Sequence, residues 1–352
     1  MPIKTQNDLP AKEILENENI FVMDEFRALH QDMRPLQVLI LNNMPVKQDT
    51  ELQLLRALSN TPLQVDVTFM NTKTHVSLNT PASHLNKFYT TFDEIKDRTF
   101  DGLIVTGAPV EDITFEEVDY WEETCKILDW AETHVTSTLH ICWAAQAGFY
   151  HYYGINKRQL SQKLFGVYEH KVSNRKIPLV RGFDDIFLAP HSRHTETPSE
   201  AIHACKDLTI LAESEKAGVF LAIAEEGKKI FVAGHPEYDR YTLNNEYHRD
   251  LDKGLPIQIP YNYYPISVTL LFPFYSHICC KAADCPSSTG ELTGRFSLIW
   301  DNLPEYDTVP RMKHSKHAFL PAAFPTGNSS HTDNKFHLTG SVFFSIRTPY
   351  PA

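Results

Sequence analysis

Five short runs of mostly β-branched and apolar residues recur along the first two thirds of this chain. They are 36–42 (LQVLILN), 63–70 (LQVDVTFM), 102–106 (GLIVT), 137–142 (STLHIC) and 229–234 (KIFVAG). Runs of this length and composition read as buried strands of a parallel sheet, which helices must cover on both faces. Helical periods fall between several of them. Asp49 or Thr50 is placed to cap a helix carrying Leu52, Leu55 and Leu58 on a face that also takes Leu54. Residues 117–132 (EVDYWEETCKILDWAE) read as a second amphipathic helix. Strands alternating with helices predict an α/β fold with a doubly wound, mostly parallel sheet. Such sheets bind ligands beyond the carboxyl ends of their strands.

That rule directs attention to the strand ends. The first run leads into Asn42-Asn43-Met44-Pro45, with Lys47 just beyond. The third leads into Gly107-Ala108-Pro109, followed by Glu111, the fourth ends at Cys142, and the last leads into His235-Pro236-Glu237. Cys142 opens the small-residue run WAAQAGFY, so a strand-to-helix turn is expected to hold its thiol exposed above the sheet. Ala144, Ala145, Ala147 and Gly148 would let that helix approach the sheet closely. A helix N-terminus favours a thiolate, and the Trp143 backbone N–H is available to an oxyanion. A cysteine nucleophile needs a base, and the base needs a carboxylate to orient it, so Cys142, His235 and Glu237 form a candidate set. Hydrolysis, amide transfer and acyl transfer fit it equally well. The ordinary alternative for Cys142 is a buried structural thiol.

The net charge of −11 points away from nucleic acid and acidic membrane surfaces as partners. The N-terminus lacks the basic start and apolar run of a signal peptide, and no apolar stretch approaches membrane-spanning length, so a cytoplasmic enzyme is expected. The six cysteines form no paired CxxC clusters. Structural zinc is therefore not expected, and free thiols are.

The runs RPLQVLILNNMP, LLRALSNTPLQVDV, NTPASHLNKFY, FDGLIVTGAP, VTSTLHICWAAQA, GVYEHKV, RGFDDIFLAPHSR and FVAGHPEYDRYTLNNEYHRD carry a resemblance. Over about residues 1–265 the chain resembles the homoserine O-acyltransferases related to class I glutamine amidotransferases. The resemblance implies that flavodoxin-like fold, cytoplasmic methionine biosynthesis and a homodimer. It implies Cys142 as acyl-thioester nucleophile, His235 as general base and Glu237 as its partner. It also implies substrate contacts at Lys163, Ser192 and Arg249. A bidentate guanidinium at Arg249 suits the homoserine α-carboxylate. Lys47 is a further candidate active-site residue, whose ordinary reading is a surface lysine.

The position after the GAP turn separates acyl donors in the family: users of succinyl-CoA resemble one another in having Gly there, users of acetyl-CoA in having Glu. Here it is Glu111. A glutamate fills space and repels a succinyl carboxylate, by about 4 kcal/mol at contact with an effective dielectric near 20. The expectation is acetyl transfer from acetyl-CoA to L-homoserine by a ping-pong route, with no metal or cofactor. Succinyl transfer is the nearest alternative. A glutamine amidotransferase-like hydrolase and an inactive relic are the others.

After 259–265 (IPYNYYP) the likeness stops. From 266 to 352 the chain is rich in Pro, Ser, Thr and His and carries three cysteines without metal-ligand spacing. This reads as an atypical, poorly ordered tail. A frameshift near residue 265 would produce it, and resequencing of the coding region tests that.

Overall fold

The computed structural model describes residues 3–264, except 5, 7, 19, 21, 24–33, 60–62, 76 and 78. The expectations for the tail lie outside the described residues. In chain order the strands are β1 (Ile3–Lys4), β2 (Val22–Met23), β3 (Leu36–Leu41), β4 (Val65–Met70), β5 (Tyr89–Thr90), β6 (Phe100–Val105), β7 (Val135–Ile141), β8 (Arg158–Val172), β9 (Ile186–Glu196), β10 (Thr209–Ser214), β11 (Gly218–Ala224) and β12 (Lys229–Val232).

They form one sheet in the order β2-β1-β4-β3-β6-β7-β12-β11-β10-β8-β9, with β5 beside β4. From β2 to β12 every neighbouring pair is parallel. From β12 to β9 every pair is antiparallel. The sheet is mostly parallel, as expected of a doubly wound α/β fold, and its parallel part contains all five predicted strands, each found within two residues of its expected ends. The antiparallel half was not foreseen.

The parallel strands are buried because both alternations meet helices. Val38 and Ile40 share a core with Leu54, Leu55 and Leu58 of the helix Lys47–Leu58. Leu39 and Leu41 point the other way, into a core with Ile127, Leu128 and Ala131 of the helix Trp121–His134.

Two helix starts differ from expectation. The first begins at Lys47, with Val46 at its N-cap and no side-chain cap. Asp49 lies in its first turn, where a carboxylate suits the positive end of the helix dipole. Thr50 bonds back to the Val46 carbonyl at 3.4 Å. The second begins at Trp121 rather than residue 117. Thr114 instead donates to Glu117 through both its N–H and its hydroxyl, which closes turns before the helix.

The small residues behind Cys142 behave as expected. A Cβ on Gly148 would stand 2.7 Å from Phe231 Cε1 and 3.1 Å from His140 Cδ2, so helix Trp143–Tyr153 approaches β12 as only glycine permits. Gly148→Ala is expected to lower stability: overpacking costs about 1–3 kcal/mol, and helix propensity returns no more than about 1 kcal/mol of it. A lower urea midpoint at unchanged slope checks this. Among the described residues no helix is long and apolar enough to cross a membrane.

Candidate active site

Because β3, β6, β7 and β12 are parallel neighbours, their carboxyl ends share one rim. The segments that follow them converge at Gly107. A Cβ built there would lie 3.4 Å from Cys142 Cβ, 3.4 Å from His235 Cε1 and 3.5 Å from Met44 Sδ. Four strand ends, far apart in sequence, thus meet beside Cys142.

Cys142 joins β7 to the helix Trp143–Tyr153 with φ +53° and ψ −113°. Such a conformation is uncommon for a residue with a side chain and costs on the order of 1–3 kcal/mol. Its neighbours hold it there. The Cys142 N–H donates to the Val232 carbonyl at 2.7 Å, and its own carbonyl accepts from the N–H groups of Ala145 and Gln146. The thiol is buried, not exposed as expected from the turn alone. Gly107 comes close to it from another segment, and Met44 and His235 meet at the same glycine. N–H groups in the first helical turn have no intrahelical acceptor, so the Trp143 N–H remains suited to an oxyanion. The Trp143 indole itself is core, packed against Phe115 and Tyr120.

His235 is anchored through its backbone N–H to the Pro190 carbonyl at 3.0 Å. Its Nδ1 donates to Glu237 Oε1 at 2.7 Å, with both side chains buried. That leaves Nε2 for the Cys142 sulfur, and the two side chains meet beside Gly107. Burial alone would lower the imidazole pKa. The charges of Cys142 and Glu237 and their hydrogen bonds outweigh it, and hold His235 well above its ordinary value.

The three expected substrate contacts are also brought together. Ser192 Oγ donates to Glu246 Oε2 at 2.5 Å. Lys163 Nζ lies 3.2 Å from Asp250 Oδ2 and 3.7 Å from Glu246 Oε2. Arg249 binds Asp250 Oδ1 through Nε and Nη2 at 2.8 and 2.7 Å. Tyr238 joins this cluster to the base: its hydroxyl donates to Glu246 Oε1 at 2.7 Å, and its ring stacks on His235 at 4.1 Å. Tyr238, Glu246 and Asp250 escape notice in the sequence. A signal was present, since Glu246, Arg249 and Asp250 recur at helical spacing along Thr242–Asp252.

Glu111 lies on the same rim. Its carboxylate accepts the His194 N–H, and burial raises its pKa against the opposing pull of His194, His235 and Arg193. Arg193, also missed, is a buried guanidinium held by the carbonyls of Thr195 at 3.1 Å and Ala217 at 2.7 Å. Lys47 is no surface residue. It is buried, donates to the Asn42 carbonyl, and is pulled down to about pKa 8 by burial, against the charge of Glu51. It braces the end of β3. Among the described residues, no three His, Cys, Asp or Glu side chains gather as metal ligands.

A family model described as homoserine O-succinyltransferase matches residues 2–271. A curated relative named homoserine O-acetyltransferase, from Agathobacter rectalis, is 68% identical over 265 residues, covering 75% of this chain and 86% of the relative. Another of that name, from Lachnoclostridium phytofermentans, is 67% identical over 265 residues, covering 75% and 88%. Among solved structures, a glutamine amidotransferase from Thermotoga maritima aligns with 63% of this chain and 84% of its own, at 13% identity and a TM-score of 0.44.

Proposed function

The chain belongs to the homoserine O-succinyltransferase family, a family of acyltransferases, and we propose that it moves an acetyl group from acetyl-CoA to the hydroxyl of L-homoserine through a thioester on Cys142. The product, O-acetyl-L-homoserine, would feed methionine biosynthesis, and residues 1–265 would form the catalytic domain. The observation that carries this reading is the buried grouping of Cys142 with the His235–Glu237 pair at the rim of the parallel strands.

The Cys142 thiolate attacks the thioester carbonyl, and the Trp143 N–H supports the resulting oxyanion. The C–S bond to CoA breaks, and His235 gives its proton to the departing thiolate. Acylation removes the Cys142 charge, the stronger of the two that raise His235. Having given its proton to CoA, the ring is neutral for the second half-reaction. It accepts the homoserine hydroxyl proton as that oxygen attacks the thioester. Collapse expels Cys142, and the proton returns the pair to its starting state. The cluster of Lys163, Ser192, Glu246, Arg249 and Asp250 offers both signs of charge to the zwitterionic end of homoserine.

Glu111 supports acetyl over succinyl as the group transferred. Its volume and its charge both oppose the larger, anionic succinyl group. CoA thiol release with homoserine and each donor tests the assignment. The expected result is a higher kcat/KM for acetyl-CoA. Glu111→Gly should move the donor ratio toward succinyl-CoA by about 10–200-fold, the range that local pocket fit can supply. A native preference for succinyl-CoA would overturn the donor and leave the Cys142 chemistry standing. Release of glutamate from glutamine instead would favour an amidotransferase.

A further inference from the structure

We propose that Lys157 is a positioning residue for donor selection, clamping the turn that carries Glu111; this rests on the reading of Glu111 given above. From Thr106 to Tyr120 the chain has no helix or strand, so contacts from other segments must set the position of Glu111. Two of them act on Glu111 itself. At its backbone, Lys157 Nζ donates to the Glu111 carbonyl at 2.8 Å and reaches the Val110 carbonyl at 3.4 Å. At its side chain, the His194 N–H of β9 holds the carboxylate. Lys157 directly precedes β8, and β8 and β9 pair beside it at Arg158↔Glu196 and Gln159↔Thr195. Both clamps therefore come from one rigid pair of strands. Gln159 adds a third tie, to Asp112 Oδ1 at 3.4 Å.

Lys157 is itself held. Its ammonium lies 4.8 Å from the centroid of the buried Phe115 ring. It is half-buried, and that burial lowers its pKa against the charges of Glu111 and Asp112. A half-buried ammonium directed at two carbonyls of one turn does more than solvate a surface. Without it Glu111 keeps only the His194 tie at its carboxylate, and the turn is free to shift that carboxylate relative to the acyl group. The space and charge that oppose a larger, anionic acyl group then relax, while the thiol, the base and the homoserine cluster stay in place.

The test compares kcat/KM for acetyl-CoA and succinyl-CoA in wild type, Lys157→Met, Lys157→Arg, Glu111→Gly and the Lys157→Met/Glu111→Gly double variant. Lys157→Met is expected to narrow the acetyl preference by roughly tenfold, the effect of losing a charge-assisted hydrogen bond. The KM for homoserine should not change, and Lys157→Arg should keep most of the preference. In the Glu111→Gly background the Lys157 substitution should no longer alter the ratio, because its action passes through the missing side chain. An equal loss with both donors would make Lys157 a donor-binding or general structural residue and overturn the proposal. So would an unchanged ratio in Lys157→Met when Glu111→Gly shifts it. If Glu111→Gly leaves the ratio unmoved, the donor reading itself has failed, and Lys157 has nothing to position.

Discussion

Cys142→Ala is expected to cut kcat/KM for acyl transfer by about 10⁴–10⁶-fold, the scale seen when the nucleophile of a coupled catalytic set is removed. The substitution should leave the fold intact. The positive φ at this position disfavours alanine and cysteine alike. The hydrogen bonds that hold the turn run through the Cys142 backbone, which alanine keeps. An unchanged melting curve would establish this. The decisive measurement is intact mass after incubation with acetyl-CoA alone: wild type gains one acetyl group, and the variant gains none. Cys125 should not substitute for the missing thiol, since burial, aided by the charge of Asp129, pushes it up to about pKa 11. An acetyl adduct that persists in the variant, or CoA release at the wild-type rate, would remove Cys142 from the mechanism.

The parts of this site that the sequence exposes are those whose position follows from local pattern. β3, β6, β7 and β12 are buried on both faces, so their composition marks them without reference to any partner. Once they are parallel neighbours, the rule about carboxyl ends brings Cys142, His235 and Glu237 to one rim. β8 is different. Residues 158–172 mix exposed and buried positions and pair with β9 across a register shift between Gln159 and Leu164. That pairing is non-local, and no period within the strand announces it. The early start of helix Lys47–Leu58 has a similar cause. With no side-chain cap to mark it, the boundary depends on the burial of Lys47 under neighbouring segments.

Burial of charged groups was the harder quantity to read. The Cys142 thiol is buried where Met44, Gly107 and His235 converge from three separate strand ends, so no local rule predicts its enclosure. Glu246 and Asp250 look like the solvated face of a helix until Ser192 and Lys163 arrive from β9 and β8. Lys163, Ser192 and Arg249 entered through family likeness alone. The structure supplies a physical reason for grouping them, namely two carboxylates and a tyrosine that stacks on the catalytic imidazole.

That imidazole is also where pH should act on the reaction, and Glu237→Gln isolates the effect. The substitution keeps size and an acceptor for the His235 Nδ1–H but removes a negative charge 2.7 Å away. In the wild-type acyl-enzyme the Cys142 charge is gone, and Glu237 is the main charge left to oppose the desolvation that lowers the His235 pKa. Without Glu237 that desolvation meets much less opposition. The sign follows: the His235 pKa falls, and the acid limb of kcat/KM for homoserine moves to lower pH. A contact between opposite charges is worth about 1–3 units, so a displacement of one unit or more is expected. The plateau rate should fall by about 10²–10⁴-fold, because a base of lower pKa draws the homoserine proton less strongly and an amide can turn its NH₂ toward Nδ1 and impose the wrong tautomer. Profiles of kcat/KM for homoserine against pH, for wild type and variant at saturating acetyl-CoA, separate the two effects. An acid limb that stays in place while the rate collapses would mean that Glu237 orients the ring without setting its charge. An acid limb moving upward would mean that the group titrating there is not His235.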